Sequence, residues 1–506
     1  MKVLLMHADR DFDLEQPLPW NEAALRQDLE LEMLLRAMAG SDEFLLDVSR
    51  RALLTAMVND RPTILYRQEI LKDCVRNSAI IRELYNLTVS SIEAGRRHWW
   101  GLSSEYPSSV LYSSNDLLEA FVGVFRKLRN IGEEHGAQFT SAGFSSLFAM
   151  FSKEMNEEYL TDVQHHLSTL RFRKGVLFSA KLGDHNESKG YVLLKPHGKD
   201  PNWLERLIGR RQPGYTYQLD PRDEAGGRIM SEMRSRAISR VARALAQSAD
   251  HVVNFFKMLR AELAFYIGCL SLHDALTAKG LPVAFPEPGA QGERRHNFTG
   301  LYDVSLALQM EPRVVANTTN ADSKNLVIIT GANQGGKSTF LRSVGLAQLM
   351  MQSGLFVGAE SFSAEICPAL FTHYKREEDT TMKSGKLDEE LARMSEIVNH
   401  IKPCSLLLFN ESFAATNERE GSEIARQIVC ALLDKGMKVF YVTHLHEFAR
   451  NFYERHGSRS VFLRPERLQD GTRTFKLVEA PPLETSYAED LYLKVFVVGA
   501  EEVSRT

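Results

Sequence analysis

Apolar residues three or four positions apart dominate the first third of the chain. DLELEMLLRAMAG, YRQEILKDCVRNSAIIRELYNLTVSSI and NDLLEAFVGVFRKLRNIGEE, between about residues 20 and 165, all carry that spacing, which predicts amphipathic helices joined at Gly and Pro. From Arg171 to about Tyr217 the pattern shortens to GVLFSAKLG, GYVLLKP and GYTYQLD, β-rich pieces separated by GDHNESKG and PHGKDP turn signals. Ile238, Val241, Leu245, Val252, Phe256, Leu259, Leu263, Tyr266 and Leu270 then restore the helical spacing, with an interruption at Ser248. One long helix is predicted there, of about 45 Å or more at 1.5 Å per residue.

A proline- and glycine-rich stretch, KGLPVAFPEPGAQGERRH, follows and reads as the clearest domain boundary. Beyond it the rhythm is strand, loop, helix. LVIIT, SLLLF and VFYVT are short apolar runs bounded by polar turns, the mark of a parallel sheet covered on both faces. Between them, Leu387, Leu391, Met394, Val398 and Ile401 form a helical stripe, which predicts a helix buried along that line.

The length of 506 residues implies about three domains, and 44% hydrophobic with 25% charged residues is a soluble globular composition. With 61 basic against 65 acidic residues the formal charge is -4, so any nucleic-acid contact must be a local patch. Five scattered cysteines without a CxxC pair suggest neither a disulfide framework nor a zinc site. The opening MKVLL stretch is too short for a secretory signal, and no apolar run approaches a membrane span. A soluble cytoplasmic protein, without a membrane partner, is expected.

The chemistry concentrates late in the chain. Gly331-Ala-Asn-Gln-Gly-Gly336-Lys337-Ser338 satisfies GxxxxGK[ST] between a predicted strand and a predicted helix. Gly331, Asn333, Gly335, Gly336, Lys337, Ser338 and Thr339 are therefore candidates to bind ATP: the glycines turn backbone N–H groups toward phosphate, Lys337 reaches the β and γ phosphates, and Ser338 holds Mg²⁺. SLLLF ends in Asn410-Glu411, where phosphoryl transfer calls for a carboxylate on the metal and a group to orient water. Asn410 is expected to reach Mg²⁺ through a bound water, weakly, and Glu411 to polarise the attacking water and approach the metal. His444, just after VFYVT, is placed to sense a γ-phosphate. A metal site through His444, His446 and Glu447 is the alternative reading of THLHE, although HExxH is absent. Ser384-Gly385-Lys386, before the predicted helix, is either an anion site or a plain turn.

Together these motifs resemble the MutS family of DNA mismatch-repair ATPases. TGANQGGKSTFLRSVGLAQLMMQSGLFVGAE is similar to that family's phosphate loop and helix, usually TGPNMGGKST, and LLLFNESFAATNEREG to its metal-binding strand. VTHLHE resembles its switch segment and SGK its signature region; Thr485-Ser-Tyr487 also fits. The likeness is strong over about 300–490 and weaker over about 20–300. It implies a mixed fold: a helical lever domain over 1–165, a small β-containing clamp insert over 166–235, a lever helix over 236–285, and an α/β P-loop ATPase domain of the ABC type over 286–506. It further implies a homodimer with ATP sites between ATPase domains, Ser384 acting in trans, Glu411 and His444 catalytic, and DNA gripped by the clamp.

Departures from the family pattern bear on specificity. The Phe-x-Glu mismatch-reading module is not found, Asp-Glu is Asn410-Glu411, and the usually glycine-rich loop reads Ser412-Phe-Ala-Ala-Thr416. The stretch after Tyr487 is short for the family's dimerisation segment. The expected function is ATP-dependent gripping of mismatched or otherwise distorted DNA in mismatch repair or related maintenance. The alternative is a nucleotide-gated junction or scaffold binder with little ATPase activity and no mismatch specificity. Residues 201–250, with nine arginines and no lysine, and Arg171, Arg173 and Lys174 beside the insert are the candidate DNA contacts, though such a stripe is as readily a solvated helix face. Trp99 and Trp100 are either base-stacking platforms or core.

Overall fold

The structure, a computed structural model, describes residues 1–102, 105–173, 175–184, 187–194, 218–311, 314–332, 334–376, 385–468 and 473–482, with the side chains of 97–102 and 458 excepted. Lys174, Asn333, Ser384, Thr485, Ser486, Tyr487 and the side chains of Trp99 and Trp100 thus lie outside the described residues. Among the described residues, no helix is long and apolar enough to cross a membrane. The chain divides into two compact units, which the one-dimensional pattern draws differently. One comprises Met1–Val3, Arg82–Phe139 and Phe144–Arg260; the other comprises Leu4–Ile81, Thr140–Gly143 and Ala261–Thr506.

The first unit is built on helices Pro107–His135 and Glu157–Leu170 and on most of a helix, Glu224–Ala278, that begins before the expected residue 236 and ends before 285. At 55 residues this helix is about 80 Å long. Ser248 does not interrupt it: its hydroxyl folds back onto Ala244 O, 3.1 Å away. Phe121 stacks on Phe256 with ring centroids 4.6 Å apart, and Phe125 and Phe151 meet Phe255, which explains why aromatic positions dominate this face. The predicted β-rich insert contains an antiparallel hairpin, β1 (Phe178–Leu182) and β2 (Ser188–Leu193), whose base packs on Leu111, Ile238 and Ala242.

The second unit carries two sheets. A small one orders β3 (Glu287–Gly289), β7 (Ser361–Glu365), β4 (His296–Leu301) and β5 (Asn317–Asn320). The proline-rich stretch is therefore not a free linker, because Glu287–Gly289 pairs with β7 and Ala284 bridges Val357. The larger sheet runs β12 (Arg473–Glu479), β11 (Ser460–Arg467), β6 (Leu326–Ile329), β10 (Lys438–Val442), β9 (Leu406–Asn410), β8 (Leu370–Tyr374), parallel except for the last hairpin, β11–β12. Ile328, Leu407, Phe409, Val439 and Tyr441 form one core with helices Glu418–Asp434 and His446–His456. On the other face Leu408 meets Gly345 of helix Lys337–Ser353 so closely that a Cβ there would lie 2.7 Å away. Burial on both faces is why these strands read as unbroken apolar runs.

Helix Lys386–His400 differs from its predicted orientation. Glu390, Met394 and Ile397 are its buried residues, whereas Leu391 and Val398 of the predicted stripe are exposed. The rotation is stabilised by a polar contact: the Glu390 carboxylate accepts the Phe413 N–H at 2.7 Å. At the start of the chain, Leu5, Met6 and Phe12 donate backbone N–H groups to Glu262 of the long helix, at 2.5, 3.1 and 2.7 Å. Burial pushes that carboxyl up to about 7 despite the three donors.

Candidate functional site

β6 feeds directly into the glycine loop, whose backbone takes conformations that side chains resist. Gly331 has φ 116 and Gly336 φ 84, the latter as the residue that caps helix Lys337–Ser353. Close approach also favours glycine at Gly331 and Gly335, since a Cβ at either would come within 2.7 or 2.5 Å of Pro465. Lys337 opens the helix and turns back, donating to Gly331 O at 2.8 Å and Ala332 O at 2.7 Å. Burial lowers its pKa to about 8, against the attraction of Glu411. The Ser338 hydroxyl donates to Asn410 Oδ1 at 3.0 Å. Thr339 lines a neighbouring cavity.

The parallel register brings the remaining candidates to the same end of the sheet. Asn410 ends β9 opposite Val442 of β10 and Tyr374 of β8, and its carbonyl accepts Lys375 N–H at 2.9 Å. Glu411 then adopts a left-handed φ of 54, held by its N–H on Val442 O at 2.9 Å. His444 Nε2 lies 3.1 Å from Glu411 Oε1. This hydrogen bond, with His444, Lys337 and Lys375 nearby, keeps the Glu411 carboxyl below its usual range in spite of burial. It fixes the ring too: against an ionised carboxylate, Nε2 is the donor. His446, by contrast, is held at its backbone N–H by Glu418 Oε1 at 3.0 Å. Among the described residues no three His, Cys, Asp or Glu side chains gather into a metal-ligating cluster, so His444, His446 and Glu447 do not form the alternative metal site.

Several parts of the site are invisible in the motifs. The hairpin β11–β12 lies over the glycine loop: Pro465 covers Gly331 and Gly335, and Arg473 donates to Gln334 Oε1 at 3.0 Å. Beside Gly336 opens a cavity of about 470 Å³ lined by Tyr302, Met310, Val315, Gln334, Thr339 and Phe475, among others. It is mainly apolar, of a size for a flat heteroaromatic ring. The one sequence hint was Pro465 inside a strand, since proline in a sheet marks a bulge, and the β11–β12 register does shift between Pro465 and Arg467.

The candidate DNA contacts are far from equivalent. Arg171 Nη2 is bound by Asp116 at 2.8 Å and Glu119 at 2.6 Å, which raise its pKa. Two carboxylates thus already engage the Arg171 guanidinium within the protein. Arg173 is exposed.

A largely parallel sheet thus brings a phosphate-loop motif, a serine hydroxyl on a strand-end amide and a carboxylate–histidine pair to one end of its strands, an α/β site architecture. Comparison with known proteins gives it a family. The model of the MutS2 N-terminal domain matches residues 59–279, and that of MutS domain V matches 327–489. The chain is 30% identical over 217 residues to "Endonuclease MutS2" of Thermus thermophilus, covering 43% of this chain and 28% of that protein. It is 30% identical over 221 residues to "DNA mismatch repair protein MutS" of Lactobacillus acidophilus (41% and 26%), and 28% identical over 198 residues to "MutS protein homolog 4" of Homo sapiens (37% and 21%). The chain belongs to the MutS family. Its matches span about a quarter of the length of these relatives.

Proposed function

We propose that this chain is a MutS-type ATPase that couples ATP binding and hydrolysis to gripping DNA. The observation that carries the reading is the convergence of Lys337, the Ser338–Asn410 pair and the Glu411–His444 pair at one end of the larger sheet. These residues fit a magnesium nucleotide. Backbone N–H groups at the start of helix Lys337–Ser353 and the Lys337 ammonium suit the phosphates, the apolar cavity suits the base, and Ser338 with Asn410 suits a hydrated Mg²⁺. Bound Mg²⁺ would neutralise phosphate charge. Glu411 orients and deprotonates water, and His444 holds that carboxylate and changes contact when a γ-phosphate is present. The long helix and the β-containing insert serve as lever and clamp, with residues 286–506 as the ATPase domain of a homodimer and Asn333 and Ser384 as further phosphate contacts.

A second reading, a nucleotide-gated binder of branched DNA with slow turnover, is favoured by one observation. Asn410 places a neutral amide, bonded to Ser338, where an aspartate is usual in the family. ATPase assays with plain duplex, mismatched and junction DNA side by side separate the two. Lys337→Ala is expected to abolish turnover, and activity equal to wild type would sink the hydrolytic reading. Asn410→Asp is expected to tighten Mg²⁺ binding and raise turnover; a rate left unchanged counts against the neutral amide as the brake.

A further inference from the structure

Just after β9, two residues that are not glycine hold left-handed backbone angles: Glu411 at φ 54 and Phe413 at φ 62. Such a conformation is unfavourable for a residue with a side chain and persists only where the surroundings impose it. Strands impose most of it here. Glu411 N–H bonds Val442 O at 2.9 Å, Tyr441 Oη donates to Ser412 O at 2.8 Å, and Ser412 Oγ donates to His373 O at 2.5 Å. From behind, Gly421 packs so closely that a Cβ there would be 2.4 Å from Phe413 O.

One restraint has a different origin. The Phe413 N–H is held by Glu390 Oε2 at 2.7 Å, and Glu390 belongs to helix Lys386–His400. Glu390 is buried, a costly place for a carboxylate on a helix with exposed leucine and valine to offer instead. Its main-chain oxygen also binds β8: His373 Nε2 lies 2.9 Å from Glu390 O, and since a carbonyl only accepts, that nitrogen carries the proton. Glu390 thus fastens the helix through its backbone to one strand and through its side chain to the turn that aims Glu411.

We propose that Glu390 is a positioning residue: it transmits the placement of helix Lys386–His400 through the Phe413 amide to the Glu411 carboxylate. The proposal rests on the hydrolytic reading above. A rigid sheet holds Asn410 and the Glu411 N–H whatever the helix does, and the Phe413 ring is buried against His373, but the Phe413 N–H takes its acceptor from the helix. An unseated helix removes that acceptor from the turn, and Glu411 loses its aim. Because a misplacement of about 1 Å can cost on the order of a hundredfold in rate, one hydrogen bond suffices as a control point.

The test compares Glu390→Met, of similar length without an acceptor, with Glu390→Gln, which keeps one. In the nucleotide-free chain, hydrogen exchange at the Phe413 amide should accelerate about tenfold or more in Glu390→Met and stay near wild type in Glu390→Gln. For ATP, kcat should fall about tenfold or more in Glu390→Met with KM within about twofold, and Glu390→Gln should restore it. A faster-exchanging amide with unchanged kcat overturns the proposal by making Glu390 merely structural, and so does unchanged exchange. If Glu390→Met does not fold, Glu390→Ala, which also lacks the acceptor, decides by the same readouts: exchange at Phe413 and kcat should shift together, and a shift in exchange alone, or in neither, overturns the proposal. A wild-type chain without ATP turnover overturns the hydrolytic reading and the proposal together, whereas an active wild type with an equally active Glu390→Met overturns only the proposal.

Discussion

Lys337 sits with its ammonium on two carbonyls of its own loop, and burial has already lowered its pKa to about 8. This sets two opposite pH responses in one window. The unfolded lysine titrates near its ordinary 10.5, so the folded chain bears a cost of keeping the group charged that is full below about 8 and relieved as pH rises toward 10.5. Phosphate binding needs the charged form. Raising pH from 7 to 9 should therefore weaken ATP binding severalfold while chemical-denaturation stability from this group holds or increases; Lys337→Met should flatten both trends. An affinity that stays constant across the window would show that the ammonium is not the phosphate contact. Lys337, Ser338, Glu411 and His444 were all legible as residues because each lies inside a short motif whose spacing is its own signal. His373, Glu390 and Phe475 were not, because their partners are 39, 23 and more than a hundred positions away, and nothing in a local window marks them.

At the scale of elements, the strands were readable and the orientations of helices were less so. LVII, SLLLF and VFYV are apolar on both faces, and the sheet buries both. Helix Lys386–His400 shows the limit of periodicity: its one apolar stripe includes Leu391 and Val398, which are exposed, while Glu390 is buried with its carboxylate on the Phe413 N–H. The long helix likewise begins before its predicted start because Glu224–Ser235 is helical without a strong apolar stripe. Helix Glu418–Asp434 offers a test of close packing. Gly421→Ala would press a methyl against Phe413 O, with an expected loss of about 1–3 kcal/mol on urea unfolding and faster amide exchange at Phe413. Wild-type stability in that variant would mean the turn has more room than 2.4 Å allows.

For the whole molecule, the net charge of -4 left any DNA contact to a local patch, and the two described arginines proposed for it differ in their surroundings. Arg171 is tied to Asp116 and Glu119, whereas Arg173 is exposed. If the insert grips DNA, Arg173→Ala should reduce the salt dependence of binding by about one phosphate contact. Arg171→Ala should leave that slope unchanged and lower the melting temperature instead, since two carboxylates lose their counter-charge. The reverse outcome would place Arg171 on the DNA. The division into two units was not readable from composition, because Leu4–Ile81 joins the C-terminal half through contacts more than two hundred residues apart, such as Leu5 N–H on the Glu262 carboxylate and Asn59 Nδ2 on Gln352 O.

The strand order of the larger sheet has a consequence in time. β6, which launches the glycine loop, lies between β10 and β11, and both are encoded after it, the nearer by roughly 110 residues. On the ribosome, at about 5–20 residues per second, Leu326–Ile329 waits on the order of ten seconds with both edges unpaired. No nucleotide can help it meanwhile, since Asn410, Glu411, His444 and the covering hairpin are not yet made. The loop that defines the site is among its first parts to be synthesised and among the last that can fold.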